Sequence, residues 1–178
     1  MAIVAFAAVL LYAAGRSPIC PCGTVKLWHG TVQSPENSQQ LADWYSLSHI
    51  VHGLLFYAAG WLALRRLPLA TRFLIATAIE SAWEVVENSP AMIERYRAVT
   101  ISWGYSGDSI VNSLSDIAMM MLGFWLGFWL ASRLRPWMSV ATVIALELIA
   151  LAAIRDNLTL NLLMLIAPSN AIMHWQAG

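Results

Sequence analysis

The sequence predicts an all-α fold, a polytopic membrane helix bundle with about five transmembrane helices and a C-terminal interfacial or re-entrant segment. Three observations lead there. The composition is 59% hydrophobic and 11% charged, where a water-soluble domain carries about 25% charge. Long apolar runs alternate with short turns rich in Arg and Pro, the punctuation expected between spans. Inside one of those runs, Glu80, Glu84 and Glu87 recur at i, i+4 and i+7, a spacing that only a helix resolves into one face. At 178 residues the chain 1–178 reads as a single integral membrane domain.

The first apolar run, 2–14, is short and is followed by Gly15. No Lys or Arg precedes its apolar core, as a secretory signal would require, so a first transmembrane helix is expected instead. Residues 16–44 form a polar loop with Cys20, Cys22, Trp28, His29 and a Ser/Asn/Gln-rich patch from Ser34 to Gln40. The second helix is expected over 43–64. Arg65, Arg66, Pro68 and Arg72 then mark a tight turn. The third helix is expected over 69–88, stopped before Pro90 because proline restricts the residues ahead of it. A second polar loop, 89–107, holds Glu94, Arg95, Arg97, Trp103 and Tyr105. The fourth helix opens at Gly107-Asp108-Ser109 and runs to Ala131, and Arg133, Arg135 and Pro136 make another turn. The fifth helix covers 137–154, apolar except for Glu147. Beyond Arg155 the remaining apolar run is too short to span, hence the interfacial or re-entrant reading of the last segment.

Arginine placement orients the bundle. The two short turns hold Arg65, Arg66, Arg72, Arg133 and Arg135 and no acid, which places them in the cytoplasm. Loops 16–44 and 89–107 then face the periplasm of a bacterial inner membrane. The chain has one Lys, nine Arg and zero net charge without a basic cluster, which excludes nucleic acid as a partner. Membrane lipid is the expected one.

That orientation gathers scattered polar residues into one outer layer: His49 and His52 on the second helix, Glu80, Glu84, Glu87 and Asn88 on the third, Asp108, Asn112 and Asp116 on the fourth, and Arg155 and Asp156 after the fifth. Seven of the ten acids fall in or just below it. Ionisable groups at such depth are costly and face inward, paired. His49 and His52, at i, i+3, suit metal ligation or a base with its orienter. Facing carboxylates would complete a site for a divalent ion such as zinc, manganese or iron. The expected metal set is His49, His52 and Glu84. The expected catalytic set is His49, His52, Glu80, Glu84 and Asp116. The expected binding groups are Glu87, Asn88, Asp108, Asn112, Arg155 and Asp156. His52 and Glu84 should meet, with Asp116 in the same cavity.

The motifs Ser38-Gln39-Gln40 with Asp43-Trp44-Tyr45, His49-Ile50-Val51-His52-Gly53, Trp83-Glu84-Val85-Val86-Glu87-Asn88, Gly107-Asp108-Ser109-Ile110-Val111-Asn112-Ser113 and Arg155-Asp156-Asn157-Leu158-Thr159 resemble an alphaproteobacterial inner-membrane family catalogued as a domain of unknown function. The likeness covers nearly the whole chain and implies no activity. A looser likeness, in the order of His, Glu stripe and Gly-Asp over the second to fourth helices, is to VanZ-like membrane proteins.

Bland readings stand beside the sharp ones. Each His can pair with a Glu as glue between helices. Asp108 can serve a helix start, and Glu147 can bond a neighbouring helix. Arg155 either neutralises the Glu stripe or binds a phosphate headgroup. Cys20 and Cys22 lie where thiols oxidise, but a bridge across one residue is rare, and metal binding with His29 is the alternative. Gly123 and Gly127 read as a packing seam; Trp44, Trp103, Trp137 and Trp175 read as interface anchors. Three functions follow as expectations. The first is a periplasm-facing, metal-assisted hydrolase or transferase acting on a lipid or lipid-linked headgroup. The others are an accessory or assembly subunit of a larger membrane complex, and proton or ion movement.

Overall fold

The computed structural model describes residues 2–102 and 104–177; Trp103, one of the expected anchors, lies outside them. Among the described residues the chain is all-helical, with no strand: α1 (Ala2–Ala13), α2 (Ser46–Ala63), α3 (Leu69–Glu87), α4 (Pro90–Val99), α5 (Ile110–Arg133), α6 (Trp137–Ile154), α7 (Leu158–Ile166) and α8 (Asn170–Ala177).

Two of these, α5 and α6, are both long and apolar enough to cross a membrane. The helices α2 and α3 have 18 and 19 residues, but their polar ends, with His49, His52, Glu80, Glu84 and Glu87, dilute the apolar character. At 12 residues α1 is shorter than a span. The structure therefore supports an all-helical protein with two membrane-competent helices, which is coarser than the five spans expected.

The seam between α2 and α5 organises the molecule. Gly53 and Gly123 bring the two backbones together: a Cβ on Gly53 would collide with Met120 O, and one on Gly123 with Ile50 O. The helices run parallel, with His49 opposite Asp116, Gly53 opposite Met120 and Gly123, and Tyr57 opposite Gly127. Against this pair lies α3, running the other way. Phe73 stacks on Phe124 and Trp125, while Glu80 reaches His49 and His52 at the far end. The apolar half is filled by Tyr57, Ala76, Met120 and Phe124. By contrast α6 buries only Ala150, and its exposed Trp137, Val140, Ile144 and Leu148 present an apolar flank outward.

The boundaries differ from expectation for local reasons. The second helix starts at Ser46, because Asp43 folds the chain back, Oδ2 accepting from Ser38 N (3.1 Å) and Oδ1 from Tyr45 N (2.8 Å). The fourth starts at Ile110, and its cap is Ser109, whose side chain accepts from Asn112 N; the capping role expected of Asp108 falls to its neighbour. The expected loop 89–107 contains α4, capped by Ser89 with Pro90 in the first turn. The last segment forms α7 and α8, each under ten residues.

Loop 16–44 is folded onto the bundle. Ile110 N donates to Ser17 O (2.8 Å), Val111 N to Pro18 O (3.1 Å) and Ser109 N to Ser38 O (3.1 Å), so the loop supplies acceptors for the start of α5. Cys20 and Cys22 form a disulfide beside Glu36, the rarer of the two arrangements the sequence left open, and His29 is not grouped with them.

Candidate functional site

The site follows from which ends of the helices are polar. Both His49 and His52 project from the outer part of α2 toward α3. Glu80 Oε1 lies 2.6 Å from His49 Nδ1 and 3.1 Å from His52 Nδ1. Glu84 Oε1 is 3.6 Å from His49 Nδ1, and Asp116 Oδ2 is 3.8 Å from His49 Nε2. His49 is thus ringed by three carboxylates from two helices. The second oxygen of Asp116 accepts from Ser46 Oγ (3.0 Å), a residue that sequence reasoning did not single out.

The expected pairing of His52 with Glu84 is replaced by His52 with Glu80. Glu80 lies one turn deeper on α3 than Glu84 and faces both histidines at that level. Glu84 reaches the cluster through His49 instead.

Glu80 and Glu84 are both 0% exposed. Among the described residues, Glu80 Oε2 and both oxygens of Glu84 have no hydrogen-bond partner. Among the described residues no arginine or lysine is paired with them, and the ion pairs that reach the stripe come from His49 and His52. Leaving three carboxylate oxygens unpaired away from water is costly, so the arrangement calls for protons or a cation. Donor atoms of His49, His52 and Glu80 lie within 4.8 Å of one another, as do those of His49, Glu84 and Glu87. Imidazole with carboxylate oxygen is the donor mix taken by zinc, manganese or iron.

A polar frame holds this cluster. Asn88 Nδ2 donates to Glu84 O (2.9 Å) and Asp108 Oδ2 (2.8 Å), and Asn88 Oδ1 accepts from Asp108 N (2.6 Å). Tyr105 Oη donates to Asp108 Oδ1 (2.9 Å). Burial pushes the Asp108 carboxyl up to about 6, against the lowering effect of the bonds from Asn88 and Tyr105. Burial also raises Asp43, while its bonds from the Tyr45 and Ser38 amides lower it. Asn112 Nδ2 donates to Gln40 O (2.8 Å), so it ties loop to helix and does not line the cluster.

The remaining expected groups divide. Asp156 is buried and accepts from Asn157 N, Gln176, Tyr45 and Asn161, which links the C-terminal helices to the start of α2. Arg155 is a correction: it is exposed, its Nη1 donates to Trp175 O (3.1 Å), and among the described residues it pairs with no carboxylate, so it does not neutralise the Glu stripe. Glu147 accepts from Leu158 N (3.1 Å) and Thr159 N (3.0 Å) at the start of α7, the bond to a neighbouring helix that the sequence allowed.

Above the cluster a cleft of about 50 Å³ is lined by His49, His52, Glu87, Asp108 and Asp116, by the rings of Tyr45, Trp83, Tyr96 and Tyr105, and by Leu158 and Leu162 of α7. Tyr96 was not singled out from the sequence, and Tyr45 and Tyr105 were named there without a place in the site. Their signal was available in Tyr96 and Tyr105, two amphipathic aromatics within a stretch read as a solvated loop.

The fold and site together define a helical protein with a buried His-carboxylate cluster at one end of the bundle. Residues 11–178 match the model of the family described as "Protein of unknown function (DUF2585)", and the chain belongs to that family. It is 55% identical to the UPF0314 protein of Sphingopyxis alaskensis over 99% of this chain and 92% of that one. It is 57% identical to that of Paracoccus denitrificans, over 99% and 89%, and 53% identical to that of Novosphingobium aromaticivorans, over 96% and 86%. These are alphaproteobacterial proteins, as the resemblance implied, and none is described as VanZ-like. No solved structure matches the chain.

Proposed function

We propose that the protein is a multi-pass inner-membrane hydrolase or transferase. On this reading a divalent metal bound by His49, His52 and Glu80, with Glu84 adjacent, assists reaction at a lipid or lipid-linked headgroup on the periplasmic side. The observation that carries the proposal is the set of three unpartnered oxygens on the fully buried Glu80 and Glu84, facing two histidines. A bound metal would polarise an ester oxygen and lower the pKa of water. Asp116, which lines the cleft beside His49, would take the proton of the attacking water and return it to the leaving alcohol, so that water adds across the ester bond with no net change in protons. The short α7, exposed at Leu162, Leu163 and Ile166, gives the cleft an apolar rim where a headgroup could enter sideways. Ion passage is disfavoured by the aromatic packing below the site, around Tyr57, Phe73 and Phe124. An assembly subunit would use the same cluster as helix glue and hold no metal.

The test is elemental analysis of the full chain purified in detergent. About one equivalent of zinc, manganese or iron is expected, falling below a tenth in His49→Ala and His52→Ala while both variants retain helical circular dichroism. A metal-free wild type whose Tm does not rise with added zinc, manganese or iron would overturn the metal-assisted reading.

A further inference from the structure

The lining of the cleft restricts what it can hold. Its charged groups are Glu87, Asp108 and Asp116, its histidines are His49 and His52, and no lysine or arginine contributes. Four aromatic rings close the remaining sides, Tyr45, Trp83, Tyr96 and Tyr105, with Tyr96 and Tyr105 packed edge to face at 5.4 Å. Trp83 and Glu87 are one turn apart on α3, so an indole and a carboxylate border the same space. Away from the histidines, where the proposed metal would sit, rings with carboxylates and no cationic side chain are the surroundings that recognise a substituted ammonium group, through cation–π attraction and ion pairing. An isolated phosphate would meet only repulsion away from the histidines. The volume of about 50 Å³ matches a few waters or one small ammonium group and excludes a whole lipid. The apolar rim of Leu158 and Leu162 leaves acyl chains outside.

We propose that the cleft selects an ammonium group, the amine of a zwitterionic lipid headgroup, and seats it against Glu87, Trp83 and Tyr96 beside the His-carboxylate cluster. The inference rests on the reading of this cleft as a headgroup site and adds the headgroup's charge. Arg155, once a candidate for an anionic headgroup, takes no part.

The test uses the full-length protein in nanodiscs of equal phosphatidylethanolamine and phosphatidylglycerol, with retained lipid measured by native mass spectrometry. Wild type is expected to retain phosphatidylethanolamine about tenfold over phosphatidylglycerol, the size of one good cation–π or ion-pair contact. Trp83→Leu and Glu87→Gln should each cut that ratio several-fold, whereas Trp83→Phe should keep most of it; Tm on each sample establishes folding. Equal retention, a preference for phosphatidylglycerol, or a ratio unmoved in both variants overturns the proposal. Displacement by millimolar free ethanolamine would assign the site to the amine alone, and no displacement would assign it to the intact lipid. Metal is measured on the same samples. Metal loss with the lipid preference intact sinks the metal reading alone, and retained metal without preference sinks this one alone.

Discussion

Asp156 has no exposed surface, yet four donors converge on its carboxyl: Asn157 N, Gln176 Nε2, Tyr45 Oη and Asn161 Nδ2. Burial outweighs those bonds and pushes its pKa from 3.8 up to about 6. The folded state therefore holds a proton that the unfolded state has released between pH 4 and 6. Its stability contribution is complete below the unfolded value and is lost as pH rises through about 6. A shift of about two units corresponds to roughly 3 kcal/mol of cost at pH 7.5. Replacing Asp156 by Asn removes that dependence, while turning an amide NH2 toward donors. The expected outcome is that Asp156→Asn melts at or below the wild-type Tm at pH 4.5 and gains on it as pH rises to 7.5. Asp108, raised similarly, is present in both proteins and cancels in the comparison. Thermal melts in detergent at the two pH values check this, and a difference that stays flat with pH would mean the carboxyl is unperturbed.

At the level of elements, the close α2–α5 seam is what puts the histidines within reach of Asp116. A methyl added at Gly53 would run into the backbone of Met120, whereas one at Gly60 would meet only the Arg72 side chain, at 3.4 Å. Alanine is otherwise favoured over glycine in a helix by about 1 kcal/mol. Gly60→Ala should thus melt at or above wild type. Gly53→Ala should melt lower, by an overpacking cost of about 1–3 kcal/mol. Equal melting temperatures for the two would mean that the helices are not in backbone contact. Gly123 was legible in advance as half of a small-residue seam with Gly127. Gly53, its partner across the seam, was not, because a lone glycine has no period. Ser89-Pro90 carried the start signal of α4, but the polar composition that followed masked it. The start of α2 was misread because Asp43, taken as its first residue, instead holds a local turn through Ser38 N and Tyr45 N, a use of Asp that spacing alone does not separate from a helix start.

For the whole molecule, the grouping of His49, His52, Glu80, Glu84 and Asp116 at one end was legible from helical spacing plus alternation of direction, and the structure brings these side chains together. The pairing within the group was not legible, since it turns on helix starts to within a turn. Nor was Arg155, whose neighbours are set by how α8 folds back. On the proposed inner-membrane reading, arginine placement gives the side that the site would face. Arg65 and Arg66 follow α2, Arg72 lies in the first turn of α3, Arg133 ends α5 and Arg135 follows it, all at the end opposite the histidines. The disulfide between Cys20 and Cys22 lies in loop 16–44 at the site's end, and disulfides persist in the periplasm rather than the cytoplasm. Charge bias and thiol chemistry both support that proposed orientation. Reporter fusions after Arg66 and Arg135 are expected to be active as cytoplasmic reporters, and fusions within 23–35 and 92–103 as periplasmic ones. The reverse pattern would place the cluster and its cleft at the inner leaflet, open to cytoplasmic solutes, and the outer-leaflet headgroup reading would fall with it.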